Sequence, residues 1–499
     1  MPHILLFSVF VVAACGLAYE LVAAALSSYL IGDSVTQFST VIGVYLFAMG
    51  VGSWLSRHVH NNLAATFIRV ELGVGLIGGF SAAMLFWAFA WISGPFLLVL
   101  YLLVFVIGTM VGLEIPLVMR LLEPKLQFKE LVSQVLSVDY LGALAVSLLF
   151  PLWLAPKLGM VRTALLFGLL NAAVALWTLW LFRTELNQRK LLWAQGGIVL
   201  LLLAGGFAGA ERLSSVAENA LYEDHIVLTE STPYQRIVLT RWKDDWRLFL
   251  NNNLQFSSRD EYRYHEALVH PGLAAMPWAR RVLVLGGGDG MAVREILKYP
   301  YVQQVTLVEL DPAMPLLFQT HPALRKLNGD ALNASRLRIV TTDAFKWLQE
   351  TEERFDFVVV DFPDPSNYAV GKLYTNSFYR LLERSLNVRG RAVIQTTSPL
   401  YARQSYWTVV NTVESVGLHT QPYHTLVPSF GEWGYVLVGR EPYTPPTTLP
   451  TGLRFLTPTT VSHLFDFPAD MARVPTDINR LNNQVLVRTF EQEWKRVQR

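Results

Sequence analysis

Seven long apolar segments occupy the first 213 residues and limit what this part of the chain can fold into. A helix that crosses a bilayer needs about 20 consecutive, mostly apolar residues. The segments lie at roughly 4–31, 37–56, 67–92, 95–119, 132–155, 161–182 and 191–210. Small residues recur within them, which suits closely packed membrane helices. We therefore predict an N-terminal α-helical membrane bundle of about seven spans, with the lipid bilayer as a partner.

The first apolar segment lacks the pattern of a cleavable signal peptide. Its apolar run is too long, it has no basic n-region, and further segments follow it. The basic residues of the second, fourth and sixth loops place those loops in the cytoplasm. With seven spans, this charge pattern would leave the C-terminal part on the outer side of the membrane.

Four acidic residues lie within the apolar segments, namely Glu20, Glu71, Glu114 and Asp139. Ionisable groups are costly in hydrocarbon and usually face the bundle interior or a wet cavity. They could form a path or pocket that attracts cations. They could equally be neutral acids that hydrogen-bond between helices, or groups near the lipid headgroups, and the sequence leaves these interpretations open.

From about Tyr222 the chain is charged like an ordinary globular domain. The segments RIVLTRW and WRLFLNNN, separated by KDD, predict a β-hairpin. After Arg281, helices alternate with five strands, RVLVLG, QVTLVEL, LRIVTT, FDFVVVDF and RAVIQTT. This order predicts a Rossmann-like (class I methyltransferase-like) α/β domain with a mostly parallel sheet, preceded by a small β subdomain.

A glycine turn, Gly286–Gly288, directly follows the first of these strands. The dinucleotide fingerprint GxGxxG fails here, because Met291 stands where its third glycine should be. Glu309 ends the next strand, where an acid can accept hydrogen bonds from ribose hydroxyls. Asp343 ends the third strand, where a base edge could lie. The pattern predicts a nucleoside site that requires no pyrophosphate.

Three further aspartates could act on a cationic substrate. Asp289, in the glycine turn, would repel phosphate and attract an ammonium group, or it could simply cap the following helix. Asp361 and Asp364, in VVVDFPDPSN, follow the fourth strand. Such a carboxylate pair can bind an amine and take its proton, although for this segment taken alone an Asp-Pro turn is the better explanation.

Taken together, these residues resemble the spermidine synthase family of polyamine aminopropyltransferases. The resemblance covers about Tyr222 to Gly439, through TPYQRIVL, LFLNNNLQFSSRDEYRYHEALVHPGL, VLVLGGGDG, VELD, TTDAF and DFPDP. With its N-terminal apolar part, the chain looks like the long membrane-bound subgroup. The resemblance implies transfer of an aminopropyl group from decarboxylated S-adenosylmethionine to a diamine, most readily putrescine, giving spermidine and methylthioadenosine. The donor is a co-substrate, and neither a metal nor a cofactor is expected.

The resemblance also implies roles for individual residues. Asp361 matches the proton acceptor and is the expected catalytic residue, and Asp289 would hold the donor's amino group. The expected donor site comprises Gln235, Gln255, Gly286, Gly288, Asp289, Glu309, Asp343 and Ala344. The residues expected to bind the acceptor by this match are Tyr264, His265, Asp364 and Gln395.

The chain departs from the soluble members of this family at two places. Asn251 and Asn252 replace an Asp-Gly pair, and because asparagine tolerates a left-handed turn, we expect the backbone to be kept. In VPSFGEWGY, Phe430, Glu432 and Trp433 stand where soluble members often carry a tyrosine of the amine site. Glu432 could therefore bind a second ammonium group of the acceptor, or it could lie on the surface.

These patterns predict four parts, namely a multi-span domain at 1–213, a small β subdomain at 214–280, the aminopropyltransferase domain at 281–445 and a tail with a closing helix at 446–499. Soluble relatives imply a homo-oligomer, a dimer or tetramer. Because the donor is made in the cytosol, we expect a multi-pass inner-membrane protein with a cytoplasmic catalytic domain, against the indication of the loop charges. Nucleic acid is not an expected partner, since the chain has no basic run.

Two other functions remain compatible with the sequence. One is an S-adenosylmethionine methyltransferase on a similar fold, against which Asp289 and the acidic pair argue. The other is a polyamine transporter or sensor whose C-terminal domain binds nucleoside or polyamine without turnover. Glu20, Glu114 and Asp139 permit the second function without requiring it.

Overall fold

The computed structural model describes residues 2–31, 34–91, 96–123, 128–213, 222 and 224–497. The chain divides into two compact units, Met1–Ile226 and Val227–Arg499. The predicted boundary at 213/214 and the start of the predicted β subdomain fall at residues 214–221, outside the described residues. The finer division into four parts stays a prediction.

The first unit contains seven long helices in its described part. They are α1 (Pro2–Ile31), α2 (Ser34–Leu55), α3 (Leu63–Trp91), α4 (Phe96–Leu122), α5 (Phe128–Leu149), α6 (Gly159–Leu181) and α7 (Arg189–Ala208). Six separate segments of the described chain are long and apolar enough to cross a membrane. The fifth, Lys129–Leu181, has 53 residues because a π-helical stretch, Phe150–Leu158, joins α5 to α6. It therefore contains two of the seven predicted segments.

Close approach of α2 and α4 explains why glycines recur in these helices. A Cβ atom on Gly52 would lie 1.9 Å from the carbonyl oxygen of Thr109. A Cβ atom on Gly112 would lie 2.2 Å from the carbonyl oxygen of Met49. Any larger residue at either position would force the two backbones apart, as expected for helices that pack through small residues.

The second unit begins with a four-stranded sheet in the order β1-β2-β3-β4. The strands are β1 (His225–Ser231), β2 (Arg236–Trp242), β3 (Asp245–Leu250) and β4 (Asn253–Ser257). The predicted hairpin corresponds to β2 and β3, which pair antiparallel. Asn251 and Asn252 form the turn into β4 with φ angles of 49° and 66°. The left-handed turn that we expected at these two asparagines is therefore present.

A seven-stranded sheet forms the centre of this unit, in the order β10-β11-β9-β8-β5-β6-β7. The five predicted strands are β5 (Arg281–Gly286), β6 (Gln304–Glu309), β7 (Leu337–Thr341), β8 (Phe355–Asp361) and β9 (Leu386–Thr396), and they run parallel. Two antiparallel strands that we did not predict, β10 (His419–Val427) and β11 (Gly431–Gly439), extend the sheet beyond β9. The mostly parallel α/β fold is therefore confirmed.

Helices cover this sheet and carry several site residues. Those before β8 are α8 (Glu261–Leu273), α9 (Met291–Ile296), α10 (Ala313–Thr320), α11 (Pro322–Leu327) and α12 (Ala344–Glu350). Those after β8 are α13 (Tyr368–Gly371), α14 (Asn376–Ser385), α15 (Arg403–Glu414), α16 (Pro458–His463) and α17 (Val485–Val497).

The C-terminal tail packs onto the α/β domain. The buried Glu266 carboxylate accepts hydrogen bonds from three successive backbone N–H groups at 2.7, 2.9 and 2.9 Å, those of Arg454, Phe455 and Leu456. In α17, Glu493 accepts from the backbone N–H of Gln404 at 2.8 Å. The tail is thus an ordered part of the domain, and it includes the predicted closing helix, α17.

Candidate active site

The site lies at the carboxyl ends of β5, β6 and β8, which are neighbours in the sheet. Gly286 pairs with Asp361 in the register of β5 and β8. A Cβ atom on Gly286 would lie 2.2 Å from the carbonyl oxygen of Asp361, and its φ is 78°. Only glycine fits this position, because it needs both the left-handed backbone and the missing side chain.

Glu309 closes the glycine turn from the side of β6. Its Oε2 accepts a hydrogen bond from the Gly288 N–H at 3.2 Å, and its Oε1 accepts from the Asp311 N–H at 3.1 Å. Burial raises the pKa of Glu309 to about 7, against the effect of these N–H donors. The carboxyl keeps lone pairs for further donors, as a ribose diol would require.

Gln235 reaches the site from the loop between β1 and β2. Its Nε2 donates to Asp311 Oδ2 at 2.9 Å, and Thr232 Oγ1 donates to the same oxygen at 2.7 Å. Asp311 thus ties the small sheet to the end of β6, a role that the VELD segment alone does not reveal. Gln255 is not part of this network, since its Nε2 donates to the Asn253 carbonyl at 3.2 Å in its own strand.

Asp343 is the N-cap residue of α12 and is already paired within the protein. Its Oδ1 accepts from the Lys346 N–H at 3.1 Å, and its Oδ2 accepts from Lys372 Nζ at 2.6 Å. Although burial acts in the opposite direction, these partners hold the pKa of Asp343 below its ordinary value. Ala344 follows as the first, buried residue of α12. Sequence reasoning missed Lys372, which lies 29 residues away.

Asp289 and His265 face each other across the glycine turn. Asp289 Oδ1 accepts from the Met291 N–H at 2.9 Å, the first N–H of α9, while Gly290 is the N-cap residue of that helix. Asp289 Oδ2 lies 3.9 Å from His265 Nε2. Asp289 is therefore not the N-cap of α9, although one of its oxygens binds an N–H at the start of that helix, and its other oxygen points toward His265.

A buried charge network, which the sequence analysis missed, holds His265. His265 Nδ1 lies 2.9 Å from Glu261 Oε2, and Arg294 binds the two oxygens of Glu261 at 2.9 Å each. Burial opposes protonation of His265, but Glu261 and Asp289 outweigh it and raise the pKa of His265 to about 9. Glu261 precedes His265 by four residues on α8. Residues four apart lie on the same face of a helix, so this spacing could have predicted the pair from the sequence.

Asp361 accepts a short hydrogen bond from a tyrosine of α8. Tyr264 Oη donates to Asp361 Oδ1 at 2.6 Å. Burial and the nearby Asp289 raise the pKa of Asp361 to about 6, while His265 and Tyr264 act to lower it. The other oxygen, Oδ2, faces the glycine turn, where a Cβ on Gly287 would lie 3.0 Å from it.

Asp364 lies three residues further along the same loop. Its Oδ1 is buried and has no hydrogen-bond partner among the described residues. Burial raises the pKa of Asp364 to about 7. A buried carboxyl oxygen without a donor is costly, so this atom is the one most in need of a ligand.

Gln395 lies beside this loop at the end of β9, with both ends of its amide in use. Its Nε2 donates to the Phe362 carbonyl and to Tyr374 Oη, the latter at 3.1 Å. Its Oε1 accepts from Trp433 Nε1 at 3.2 Å. Gln395 therefore fixes the loop that carries Asp364 rather than presenting a free group in this structure.

Glu432 is paired with a histidine that the sequence analysis did not consider. Its Oε1 hydrogen-bonds His424 Nδ1 on the antiparallel partner strand. The second ring nitrogen of His424 contacts the carbonyl of Asp466 at 2.9 Å. Phe430 instead packs edge-to-face against Tyr264 and at a tilt against Trp433, with ring centroids 6.2 and 5.2 Å apart. Among the described residues, no hydrogen bond links Glu432 to Asp289, Asp361 or Asp364, and its partner is His424.

The fold and the site together define an α/β domain with a glycine turn, an acid at the end of the next strand and an acidic loop beside them, at the strand ends where such sheets bind ligands. Residues 261–447 match the family model of the spermine/spermidine synthase domain. Polyamine aminopropyltransferase 2 of Ralstonia nicotianae is 57% identical over 99% of both chains. The polyamine aminopropyltransferase of Leptospira interrogans is 52% identical over the full length of both, and polyamine aminopropyltransferase 1 of Streptomyces coelicolor is 42% identical over 99% of this chain and 94% of that one.

The chain belongs to the polyamine aminopropyltransferase family, and it is an aminopropyltransferase. The similarity extends over the long N-terminal helical region, which these relatives share. The methyltransferase and non-enzymatic interpretations of the sequence are therefore set aside.

Proposed function

We propose that this aminopropyltransferase uses decarboxylated S-adenosylmethionine as donor and a diamine, putrescine in the first place, as acceptor. The observation that carries the proposal is the acidic set Asp289, Asp361 and Asp364, in which three carboxyls face one histidine, His265, whose Nε2 lies 3.9 Å from Asp289 Oδ2. No described lysine or arginine forms an ion pair with any of the three. Both substrates are cations, one a sulfonium with an ammonium group and the other a diammonium, and the set offers them complementary charge.

In this proposal the donor nucleoside lies over the glycine turn. Glu309 accepts hydrogen bonds from the ribose hydroxyls, and Asp343 with Ala344 contacts the adenine. The free oxygen of Asp289 binds the donor's terminal ammonium group. A substrate that still carried the carboxylate of S-adenosylmethionine would meet this aspartate with like charge, so Asp289 selects the decarboxylated form. No further cofactor is proposed.

The acceptor amine binds beside Asp361 and Asp364. The amine nitrogen, once it has lost a proton, forms a bond to the methylene carbon next to sulfur. The carbon–sulfur bond breaks, and its electron pair remains on sulfur, which changes from a sulfonium to the neutral thioether of methylthioadenosine. Asp361 takes the proton through Oδ2, while Tyr264 holds Oδ1. Asp364 Oδ1 accepts a hydrogen bond from the acceptor's ammonium group.

We further propose that the first unit anchors the enzyme in the inner membrane, with the catalytic unit in the cytoplasm. Large apolar side chains on its helices are exposed, among them Phe47, Leu98, Leu152 and Leu201 at 67, 69, 77 and 74%. A lipid environment would cover this surface. Alkaline phosphatase fused after Arg499 should be inactive in cells, and a cytoplasmic fluorescent reporter there should be bright. An active phosphatase would reverse the proposed orientation.

Mass spectrometry of the reaction products tests the substrates directly. The full-length protein is incubated with decarboxylated S-adenosylmethionine and, separately, with putrescine, cadaverine, agmatine or spermidine. Methylthioadenosine together with aminopropylated putrescine is the expected result. Methylthioadenosine formed only with another amine would replace putrescine as the acceptor, and transfer from intact S-adenosylmethionine would overturn the role of Asp289.

A further inference from the structure

The interior of the helical unit contains a polar cluster contributed by separate helices. Tyr19 lies on α1, Tyr45 on α2, Glu71 on α3, Glu114 on α4 and Asn171 on α6. All five are buried, with exposures of 1, 2, 0, 2 and 0% in that order. These groups are directed inward, away from the apolar outer surface of the unit. The reaction of the second unit does not use them.

A chain of hydrogen bonds fixes one side of this cluster. Tyr19 Oη donates to Asn171 Oδ1 at 3.4 Å, and Asn171 Nδ2 donates to Glu71 Oε2 at 2.7 Å. Tyr45 Oη donates to the carbonyl oxygen of Gly16 at 2.8 Å. Asn171 is thus held by partners on both sides of its amide. One oxygen of Glu71 is satisfied, and the orientation of its carboxyl is set.

Two buried carboxyl oxygens in the cluster have no partner. Glu71 Oε1 and Glu114 Oε1 accept no hydrogen bond from any described residue. The native interior of a protein rarely leaves such atoms unsatisfied unless a ligand, an ion or water takes the position. Two atoms of this kind, on the adjacent helices α3 and α4, indicate a site rather than a packing fault.

The Glu71 and Glu114 carboxyls also have no basic side chain as a partner among the described residues. No described lysine, arginine or histidine forms an ion pair with Glu71 or Glu114. Described basic side chains of this unit bind elsewhere. Arg69 donates to Gln188, Arg120 to the Ser56 carbonyl and Arg162 to Glu211.

Two further acids, Asp139 and Glu20, lie near this cluster. Glu114 interacts electrostatically with Glu71 and also with Asp139 on α5. Tyr45 interacts with Glu114, Asp139 and Glu20. In the described chain no three acidic, histidine or cysteine side chains lie close enough together to hold a metal ion. Spaced carboxyls between aromatic rings suit ammonium groups that are separated by methylenes, since each ammonium has three donors and is attracted to aromatic faces.

We propose that the helical unit contains a polyamine-binding site, in which Glu71 and Glu114 accept hydrogen bonds from one ammonium group and Asp139 lies within reach of the next. The ligand class is an aliphatic polyammonium cation. This site is separate from the catalytic one, because all of its residues belong to the first unit. The proposal does not depend on which amine the catalytic site accepts.

Equilibrium dialysis of the full-length protein with radiolabelled spermidine, without donor, tests the proposal. The double variant Glu71→Gln, Glu114→Gln keeps the shape of both side chains and an acceptor for Asn171. It should lose one bound spermidine per chain, or weaken that binding about tenfold or more, because hydrogen bonds to charged groups are lost. Aminopropyl transfer in the same preparation should be unchanged, which separates this result from any failure of the catalytic proposal.

The matched control is Glu130→Gln, Glu185→Gln, which removes two exposed carboxylates of the same unit. It should bind spermidine like the wild type. If the double variant is poorly folded, Glu114→Gln alone should show the loss, because no Glu114 hydrogen bond would be broken by it. Unchanged binding in these variants would overturn the proposal. Competition by sodium as strong as that by spermidine, or proton uptake without spermidine binding, would overturn it as well.

Discussion

Tyr264 Oη donates a 2.6 Å hydrogen bond to Asp361 Oδ1, and the two residues are 97 positions apart in the chain. The bond joins α8 to the carboxyl end of β8 and leaves Asp361 Oδ2 directed toward the glycine turn. It stabilises the ionised form of the carboxyl, so Tyr264 counteracts the burial that raises the pKa of Asp361 to about 6. A proton acceptor in this position is ionised at neutral pH.

Replacement of Tyr264 by Phe should shift the acid limb of the rate profile. Without the hydroxyl, the pKa of Asp361 rises, so the rate should fall at a higher pH than in the wild type. Turnover at pH 6 should drop roughly tenfold, the worth of a hydrogen bond to a charged group. Tyr301→Phe, which removes a hydroxyl bound to the Leu273 carbonyl, is the control. An unmoved acid limb in Tyr264→Phe would refute this account of the bond.

Replacement of Asp361 by Asn should abolish turnover and leave nucleoside binding intact. The amide cannot take a proton from the acceptor amine, and a loss of about 10²–10⁴-fold is typical of a removed general base. Methylthioadenosine binding, measured by calorimetry, should stay within about twofold of the wild type. Substantial residual turnover would mean that another group, of which Asp364 is the nearest in the loop, accepts the proton.

Nucleoside affinity should depend on the ionisation of Glu309. Its pKa of about 7 in the free protein means that it must lose a proton to accept from both ribose hydroxyls. Methylthioadenosine should therefore bind more tightly as the pH rises from 6 to 8, with proton release. Glu309→Gln should weaken binding and remove this dependence. A wild-type affinity that does not change with pH would argue against Glu309 as the ribose acceptor.

Arg294 binds two carboxylates, those of Glu261 and Glu295, and only Glu261 also contacts His265. Replacing each in turn tests whether the protonated His265 matters for the rate. Glu261→Gln removes a carboxylate that helps to raise the pKa of His265 to about 9, so that pKa should fall. If the imidazolium supports catalysis, the alkaline limb of kcat/KM should move to lower pH. Glu295→Gln also removes a carboxylate partner of Arg294, but it contacts His270 instead of His265. The control should keep its alkaline limb near that of the wild type, and an equal shift in both variants would indicate a general structural effect.

Glu266 provides a test of how the tail is held. Glu266→Ala would leave three backbone N–H groups without an acceptor, and we expect a loss of about 3 kcal/mol in the free energy of unfolding of the second unit. Glu266→Gln keeps one acceptor oxygen and should lose less. Urea unfolding measures the difference, and limited proteolysis should cut the Ala variant faster between residues 446 and 460. If both variants unfolded with the free energy of the wild type, the tail would be held by its apolar contacts alone.

The local features of the site follow from the sequence. Glycines after a buried strand, an acid at the end of the next strand and an Asp-Pro loop after the fourth are all short-range patterns. The parallel order of the strands then requires Gly286, Glu309 and Asp361 to meet at one edge of the sheet. The long apolar helices follow from composition in the same way, because about 20 apolar residues can satisfy their backbone in lipid only as helix or barrel.

Only the tertiary structure decides which side chains pair across these elements. The bond from Tyr264 to Asp361, the partner of Glu432 on β10 and the hold of Glu266 on the tail join positions that no local pattern connects. Periodicity and turn residues specify an element and its buried face, but a contact between two elements depends on how their packed faces align. For that reason the sequence placed Asp361 at the site, and the fold alone showed what holds it there.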